Sequence, residues 1–323
     1  MCTKITDDQL SVIVQGPVFN DNLKNESTNS VLKSIRKCFP EAEIILSTWE
    51  GSDINDLDFD RLILSPDPGT IPIYPGSKIN HNLNRQILST QSGLSLSTRN
   101  YVLKTRTDII FKKNNIYKYY NKFKESNRKF SVAKRKILVA NLTSVNPNKK
   151  FLLPFHPCDW VYFGFKNDIE NLFRVSLCVE DYDNNFFLYN KFPTNHPNFL
   201  HVQRFPSESY IWLNLCKSFF NINMEHLCDA NEDLIKLSEQ ITASNLIILN
   251  QEQIAFYSFK NRFHLGDNYT TLKNIMYTYY EFVGLYNKYN GQHVFAFDIY
   301  YYLHFFFYYY KSLLFKIKSL IYK

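Results

Sequence analysis

The first hundred residues contain three short apolar runs rich in β-branched residues, and each is followed by turn-forming residues. These runs are Ser11–Val18, Glu43–Trp49 and Leu62–Leu64, and their pattern predicts strands. Between the first two, apolar residues at helical spacing predict a helix that Ser27 or Thr28 caps. Strands separated by a helix indicate a βαβ unit, so we expect a parallel sheet with right-handed crossovers.

The same reasoning extends this α/β pattern to about residue 250. The further predicted elements are a helix over Leu83–Leu96, a strand that starts at Tyr101, a strand over Ile137–Val145, a helix opening near Glu208 and a helix over Asp233–Leu249. The predicted fold class is therefore α/β, a mostly parallel sheet flanked by helices.

The stretch Tyr101–Ile110 changes character midway, from an apolar strand to charged residues. Lys104, Arg106 and Asp108 follow one another at alternate positions, and burying such charges is costly unless the strand end opens on a site. In open α/β sheets, ligands bind beyond the carboxyl ends of the strands. We therefore expect Thr105–Asp108 to face a ligand; the alternative is an edge strand with solvated charges.

Composition narrows the class of partner. The 323 residues carry a formal net charge of +7, which favours anionic partners such as a nucleotide diphosphate or acidic lipid headgroups. No alternation of aromatic and basic residues of the RNA-binding type is present, so nucleic acid is not expected. The six cysteines are scattered without a C-x-x-C pair, which suits neither a zinc site nor a disulfide scaffold. With no visible secretory signal, these features predict a cytosolic protein or one on the cytosolic face of a membrane.

The last thirty residues are rich in Phe and Tyr and end in four spaced lysines. The uncharged run Ile299–Tyr310 is shorter than the roughly 20 residues that span a bilayer, but aromatic residues and lysines suit a membrane interface. The alternative is a final helix packed on the protein body. The predicted organisation is a catalytic domain over residues 1–230, its helical completion over 231–293, and an amphipathic membrane-associating tail over 294–323.

Several polar residues near the predicted strand ends are candidates for ligand binding. Asp108 offers a hard oxygen ligand for a divalent cation, and Asn84 and Arg85 lie on the preceding helix. Arginine matches phosphate groups in a bidentate way. Asp159 stands between Cys158 and Trp160 in an aromatic segment, where a carboxylate without a partner is costly. Asp159 is therefore a candidate for binding acceptor hydroxyl groups.

Six segments in order resemble the WavE lipopolysaccharide-synthesis family of bacterial surface-polysaccharide proteins. They are SVIVQGPV, SIRKCFPEAEIILSTWEG, SPDPG, NLNRQILST, YVLKTRTD and PCDWVYFG. The resemblance runs from about Ser11 to Trp212, and KTRTD and CDW are its most specific parts. The order of elements also looks like that of GT-A glycosyltransferases, with a nucleotide-binding half followed by a strand that ends in a D-x-D-like motif.

This resemblance implies roles for particular residues. Gln15, Gly16 and Pro17 would lie against the nucleotide, and Asp67 near its base or ribose. Asn84, Arg85, Lys104, Arg106 and Asp108 would form the diphosphate site. A divalent metal, Mn or Mg, would bind Asp108 and a late histidine, His264. However, Arg106 occupies the place of the motif's first aspartate, which puts metal dependence in doubt.

The resemblance also implies a catalytic base at the start of a later helix. Glu208 is the best match, because it follows Pro206 at a predicted helix start and the helix N-terminus favours its ionised form. Asp159 is the rival for that role.

The expected function is transfer of a sugar from a nucleotide diphosphate sugar to a lipid-linked polysaccharide acceptor, such as lipopolysaccharide or capsule. The expected location is the cytoplasmic face of the bacterial inner membrane, with peripheral attachment. Two alternatives stay open: a nucleotidyltransferase of sugar metabolism, and a non-catalytic scaffold of a polysaccharide assembly complex.

Overall fold

The computed structural model describes residues 5–20, 26–72, 78, 80–124, 126–179, 186–190, 204–260, 274–295, 306 and 310. Eleven strands occur in these residues: β1 Leu10–Gln15, β2 Glu43–Trp49, β3 Arg61–Ser65, β4 Ile71–Pro72, β5 Asn80–His81, β6 Tyr101–Arg106, β7 Ile109–Phe111, β8 Ile137–Ala140, β9 Tyr162–Phe165, β10 Leu246–Leu249 and β11 Phe256–Ser258.

Nine α-helices occur in the same described residues: α1 Thr28–Cys38, α2 Leu83–Leu96, α3 Ile116–Tyr120, α4 Lys166–Leu172, α5 Phe186–Tyr189, α6 Ser207–Lys217, α7 Glu232–Asn245, α8 Gln251–Ile254 and α9 Tyr279–Asn290. Short 3-10 turns cover Asp7–Gln9 and Arg128–Phe130. Ser27 is the residue that caps α1, because its side chain accepts a hydrogen bond from the Ser30 backbone N–H.

Seven strands form the main sheet in the order β10-β8-β9-β6-β1-β2-β3. β1 pairs in parallel with β2 on one side and with β6 on the other, and β2 pairs in parallel with β3. β9 runs antiparallel between β6 and β8. The predicted fold class, a mostly parallel sheet flanked by helices, is confirmed, and the central strands are buried along their whole length.

One predicted helix is shorter than its apolar pattern suggests. α7 ends at Asn245, and Leu246–Leu249 form the edge strand β10, which pairs in parallel with β8. The Asn245 side chain accepts hydrogen bonds from the backbone N–H groups of Val132 and Ala133, which fixes the point where the helix stops. A fully buried run of four apolar residues suits a helix or a strand equally, so periodicity alone cannot separate them.

Two other boundaries differ from the prediction. β8 ends at Ala140 rather than Val145, because the chain turns at Asn141, whose backbone N–H donates to the Leu249 carbonyl. Apolar residues at helical spacing predict that this helix extends to Phe219. α6 ends at Lys217 instead, and Phe219 lies beyond it and is 56% exposed.

α2 packs very closely on the centre of the sheet. A Cβ atom added at Gly93 would overlap the Ile13 side chain, so the glycine that weakens the helix pattern is what permits this approach. Ser47 reinforces the contact, since its hydroxyl donates to the Ser89 carbonyl at 2.7 Å. α2 consequently places its first turn above the carboxyl end of β1.

The predicted domain organisation stays a prediction, but two of its parts share a hydrophobic core. Ile241 and Phe282, from the range 231–293, belong to the same buried cluster as Val12 and Val139. Most of the predicted membrane tail lies outside the described residues, which include Phe306 and Tyr310 near its centre. None of the described helices combines the length and the apolar character needed to cross a bilayer.

Candidate functional site

A cleft of about 380 Å³ opens at the carboxyl ends of β1, β2 and β6. This is the place where open α/β sheets bind ligands, and its volume falls within the range of small-molecule sites. The residues that line it are Gln15, Gly16, Pro17, Phe19, Trp49, Asn82, Arg85, Gln86, Arg106, Thr107, Asp108, Asp159 and Lys260. The cleft thus brings together most of the predicted site residues.

Gly16 closes the end of β1 in a conformation that favours glycine, with φ of 122°. A Cβ atom there would lie 3.1 Å from the Thr107 hydroxyl oxygen. The backbone is fixed on both sides, because Gly16 N–H donates to the Ser47 carbonyl and Thr107 N–H to the Gln15 carbonyl. The Gln15 side chain accepts a hydrogen bond from Ser89 at 2.6 Å. The strand end therefore presents rigid backbone directly to the cleft.

Arg106 and Asp108 form a bidentate ion pair at the end of β6. Arg106 Nε lies 2.8 Å from one carboxylate oxygen and Nη2 lies 2.9 Å from the other. Ser258, brought in by the pairing of β11 with β7, donates to the same carboxylate at 2.5 Å. The guanidinium also stacks on Trp160, 4.6 Å from the ring centroid. Asp108 is 1% exposed, so its carboxylate orients Arg106 at the edge of the cleft.

Arg85 reaches the cleft from the first turn of α2 and is held by two neighbours. It forms a bidentate ion pair with Asp67 and donates to Asn82 Oδ1 at 3.1 Å. The side-chain hydrogen bond from Arg85 lowers the pKa of Asp67 below its ordinary value. Asp67 itself is not among the residues that line the cleft. Its position near a base or ribose stays a prediction, and what the structure shows is its contact with Arg85.

Two predicted site residues face the protein interior instead of the cleft. The Asn84 amide clamps the backbone of Cys178, donating to its carbonyl at 3.0 Å and accepting from its N–H at 2.7 Å. Lys104 is fully buried, and its ammonium donates to the backbone carbonyl of Asp159 at 2.6 Å. Burial lowers the pKa of Lys104 to about 8. Neither residue lines the cleft. Both were predicted to contact a nucleotide, but in the structure they hold backbone segments in place.

Asp159 is positioned through its backbone, while its side chain faces the cleft. Its carbonyl accepts hydrogen bonds from Lys104 and, at 3.1 Å, from Gln86 of α2. Within the described part of the chain, no side chain donates to its carboxylate. The carboxylate is therefore available to a ligand.

Glu208 occupies the first turn of α6, as predicted, and lies outside the residues that line the cleft. Although Glu208 is only half-buried as a residue, burial of its carboxyl group and repulsion from Asp159 raise its pKa above the ordinary value. This corrects the expectation that the helix N-terminus keeps Glu208 ionised, because burial and the neighbouring charge outweigh the helix dipole. The Glu208 carboxyl group therefore holds a proton more readily than an ordinary glutamate does.

A divalent metal does not fit the described residues. No group of three or more His, Cys, Asp or Glu side chains in the described part of the chain is arranged to hold one. Both oxygens of the predicted ligand Asp108 already accept hydrogen bonds, from Arg106 and Ser258. His264, the other predicted ligand, lies outside the described residues. The metal stays a prediction from family resemblance, and the geometry favours the alternative in which Asp108 orients arginine.

Sequence reasoning missed six residues of the site: Phe19, Trp49, Asn82, Gln86, Ser258 and Lys260. Trp49 is the last residue of a predicted strand, and its position at a carboxyl end was the available signal. Lys260 lies 5.2 Å from the centroid of the Phe19 ring, and it reaches the cleft because β11 pairs with β7. Nothing local in the sequence indicates that pairing. Among the residues that line the cleft, the third cation beside Arg85 and Arg106 is therefore Lys260, where Lys104 was predicted.

The fold and the cleft define an α/β protein with cations and rigid backbone at the carboxyl ends of its central strands. The chain belongs to the WavE lipopolysaccharide synthesis family, whose model matches residues 10–317. The resemblance noted from six segments is thus confirmed over nearly the whole chain, and it links the protein to lipopolysaccharide synthesis. No curated protein is significantly similar in sequence.

The matches to solved structures are remote. A protein assigned as a glucose-1-phosphate thymidylyltransferase from Bacillus anthracis, crystallised with sucrose, is 10% identical with a TM-score of 0.32; the match covers 52% of this chain and 76% of that chain. The 4-diphosphocytidyl-2C-methyl-D-erythritol synthase of Anaerococcus prevotii is also 10% identical, with a TM-score of 0.31 and coverage of 66% and 98%.

Proposed function

We propose that this protein is a glycosyltransferase that moves a sugar from a nucleotide diphosphate sugar to a lipid-linked surface-polysaccharide acceptor. The observation that carries the proposal is the cleft at the strand ends, which combines Arg85, Arg106 and Lys260 with the available carboxylate of Asp159. Family membership in lipopolysaccharide synthesis supports it. Cations suit a diphosphate, and a carboxylate that lines the cleft suits sugar hydroxyl groups.

The leaving diphosphate needs positive charge aimed at it as the glycosidic bond breaks. Arg106 is held rigidly by Asp108 and Trp160, and Arg85 by Asp67 and Asn82. A guanidinium that is already oriented loses little side-chain entropy when it binds phosphate. In this proposal these arginines, with Lys260, stabilise the leaving group.

The nucleoside would lie against the end of β1 and β2. Gly16 allows a ligand to approach the backbone, and Pro17, Phe19 and Trp49 supply apolar and aromatic surface beside it. Aromatic rings stack on nucleobases with useful free energy. This arrangement would place the diphosphate over Arg106 and the sugar near Asp159.

Glu208 is our candidate for the base that accepts the proton of the attacking hydroxyl group. A general base works best when its pKa lies near the working pH, and the raised pKa of Glu208 moves it in that direction. Asp159, which faces the cleft, would bind hydroxyl groups of the sugar or of the acceptor and stays the alternative base.

The proposal is tested by incubating the purified protein with a panel of nucleotide diphosphate sugars and measuring the nucleotide diphosphate released. A transferase leaks slowly by transfer to water, and the donor that is used should also raise the melting temperature, since a ligand at 100 times its Kd adds about 2.7 kcal/mol. Release should continue in excess chelator. A nucleotidyltransferase would instead release pyrophosphate from a nucleoside triphosphate and a sugar phosphate, and a scaffold would release neither product.

The acceptor and the membrane are also part of this proposal. A lipid-linked acceptor requires the protein to work at the membrane surface, and the predicted tail supplies aromatic residues and lysines for that surface. Deleting residues 299–323 should abolish co-sedimentation with vesicles that contain anionic lipid, while donor hydrolysis continues. Retained binding by the truncated protein, or loss of its cooperative unfolding, would contradict the role of the tail.

A further inference from the structure

The loop that carries Asp159 and the helix that carries Glu208 are joined by one hydrogen bond between side chains. His156 Nδ1 lies 2.7 Å from Ser209 Oγ. Ser209 is fully buried in the first turn of α6, next to Glu208 in sequence. His156 is three residues before Asp159. The bond therefore connects the two segments that present the interacting carboxyl groups.

The loop side of this connection is anchored to the protein body. Phe155 N–H donates to Ser238 Oγ at 2.8 Å, and Cys158 N–H donates to Ser144 Oγ at 2.9 Å. The His156 carbonyl accepts from Val145 N–H at 2.9 Å. Phe155 also adopts a positive φ of 56°, a conformation that a bulky residue keeps only where surrounding contacts impose it. The loop is thus a fixed reference for whatever it touches.

The helix side has less support of its own. Pro206 occupies the N-cap position of α6 and makes no side-chain capping hydrogen bond. Helix N-termini usually depend on such a bond to fix their first turn. Ser209 lies in that turn, so its contact with His156 holds the turn from outside the helix.

The imidazole stays neutral over the pH range in which the protein would work. Burial lowers the pKa of His156 to about 4. A neutral imidazole has one donor and one acceptor nitrogen, so the bond to Ser209 forms without adding charge beside the two carboxyl groups.

We propose that His156 and Ser209 are a positioning pair that fixes the separation of Glu208 from Asp159. This inference rests on the proposed function, because it assigns the pair to the presentation of the catalytic base. The two residues would act through Glu208, without contact to the substrate. A displacement of about 1 Å at a catalytic group can lower turnover roughly 100-fold, so a single hydrogen bond at this place has a kinetic consequence.

The charged and titratable groups around Glu208 come from several elements. Asp159 raises its pKa and Arg106 lowers it, Tyr162 of β9 interacts with Glu208, and Cys158 and Lys104 lie beside Asp159. Of these, the Asp159 carboxylate is on the same loop as His156. Loosening α6 should therefore weaken the repulsion from Asp159 and bring the pKa of Glu208 down toward its ordinary value.

The test compares Ser209→Ala with Ser207→Ala, a change of the same type two residues earlier in the same helix. For donor hydrolysis, Ser209→Ala should lower kcat roughly 10-fold to 100-fold with little change in KM. It should also move the acidic midpoint of the kcat–pH profile to lower pH. Ser207→Ala should do neither. His156→Asn, which retains a hydrogen-bonding group near the Nδ1 position, should keep more activity than His156→Leu.

A folded Ser209→Ala protein whose kcat and pH midpoint match the wild type would overturn the proposal. A second readout needs no activity. Because the folded protein binds the Glu208 proton more tightly than the unfolded chain, its stability falls as pH rises above the ordinary carboxyl pKa. This fall should be shallower in Ser209→Ala than in the wild type or Ser207→Ala. Equal slopes would reject the positioning pair, whereas absence of any donor turnover would reject only the proposed function.

Discussion

Two acidic regions meet at the cleft, and they differ in what surrounds each carboxylate. Asp108, at the end of β6, accepts hydrogen bonds from Arg106 and Ser258 on both of its oxygens. At Asp159, the nearby Lys104 binds the backbone carbonyl and leaves the carboxylate to the cleft. Glu208 lies close enough to Asp159 for the two charges to repel. The first region orients a cation, and the second keeps the Asp159 carboxylate available to the cleft.

A carboxylate's partners, more than its place in a motif, indicate its role. By sequence, Asp108 is the remnant of a metal-binding motif and the predicted metal ligand. In the structure its oxygens are occupied by hydrogen-bond donors. The carboxyl group whose pKa is raised is that of Glu208, by burial and by the neighbouring charge of Asp159, and such perturbed groups concentrate at functional sites.

The largest expected effect tests the second region. Glu208→Gln keeps the shape of the side chain and removes its ability to accept a proton, so kcat for sugar transfer should fall roughly 10²–10⁴-fold. Donor binding, measured by calorimetry, should be nearly unchanged. Asp159→Asn should act mainly on the affinity for the acceptor. Glu232→Gln, an exposed first-turn glutamate of α7, is the control and should have wild-type kinetics.

The reverse result would exchange the two roles. If Asp159→Asn abolishes turnover while Glu208→Gln keeps most of it, the base is Asp159 and Glu208 tunes its charge. The two regions would still differ, but the group that reacts would be the one that faces the cleft.

The next effect tests the first region. Arg106→Met leaves the buried Asp108 carboxylate without its charged partner, which costs several kcal/mol for a fully buried pair. Because the Arg106 side chain is 24% exposed, we expect about 3 kcal/mol, the low end of that range. Adding Asp108→Asn to Arg106→Met should recover part of this loss, since the unpaired charge is then removed. Urea denaturation measures the free energy of unfolding of the single and the double variant, and Arg128→Met, at an exposed position, is the control.

A metal at Asp108 would give a different pattern. Asp108→Asn would then weaken donor binding together with the metal, and chelator would abolish activity in the wild type. If Arg106 is the group that meets the diphosphate, chelator has no effect, and the loss of donor affinity appears in Arg106→Met.

Much of the fold was predictable because local patterns coincide with tertiary burial. The runs at β1, β2 and β6 are buried on both faces, as expected for central parallel strands. The cap of α1 was also predictable, because serine is a preferred N-cap residue and Ser27 caps the helix. β10 was missed because its four buried apolar residues directly continue a helix pattern. Whether such a run pairs with β8 depends on partners more than a hundred residues away.

The site was predictable to a smaller degree, for a related reason. Strand ends can be found from sequence, so Gln15, Gly16, Arg106 and Asp108 were expected together. The sequence does not indicate where the end of a long side chain lies. Lys104 and Arg106 are two residues apart, so they fall on the same face of β6. Even so, the Lys104 ammonium lies in the protein interior. Ser258 and Lys260 reach the site because β11 pairs with β7, and no local sequence pattern predicts that pairing.

A smaller expected effect is the pH dependence of stability that comes from Lys104, whose ammonium binds the backbone carbonyl of Asp159 in the protein interior. Since its folded pKa is about 8 and its ordinary value is 10.5, the folded state loses this proton before the unfolded chain does. Stability therefore rises with pH in that window. The free energy of unfolding of the wild type, relative to Lys104→Met, should increase by about 1–2 kcal/mol between pH 8 and pH 9.5. A difference that stays constant with pH would show that Lys104 keeps an ordinary pKa in the folded protein.

The smallest expected effect is at the ion pair between Arg85 and Asp67, where both side chains are about one-third exposed. Exposed pairs contribute about 0–1 kcal/mol, so Asp67→Asn should hardly change the melting temperature. Its effect should appear in binding, because Arg85 loses the partner that orients it beside the cleft. We expect a few-fold rise in KM for the donor with kcat nearly unchanged, and the rise should diminish at high salt as charge interactions are screened. Asp58→Asn, which breaks an exposed pair with Arg36 whose members do not line the cleft, is the matched control. A donor KM that is equal in both variants would mean that Arg85 does not bind the diphosphate, and the leaving group would then depend on Arg106 and Lys260.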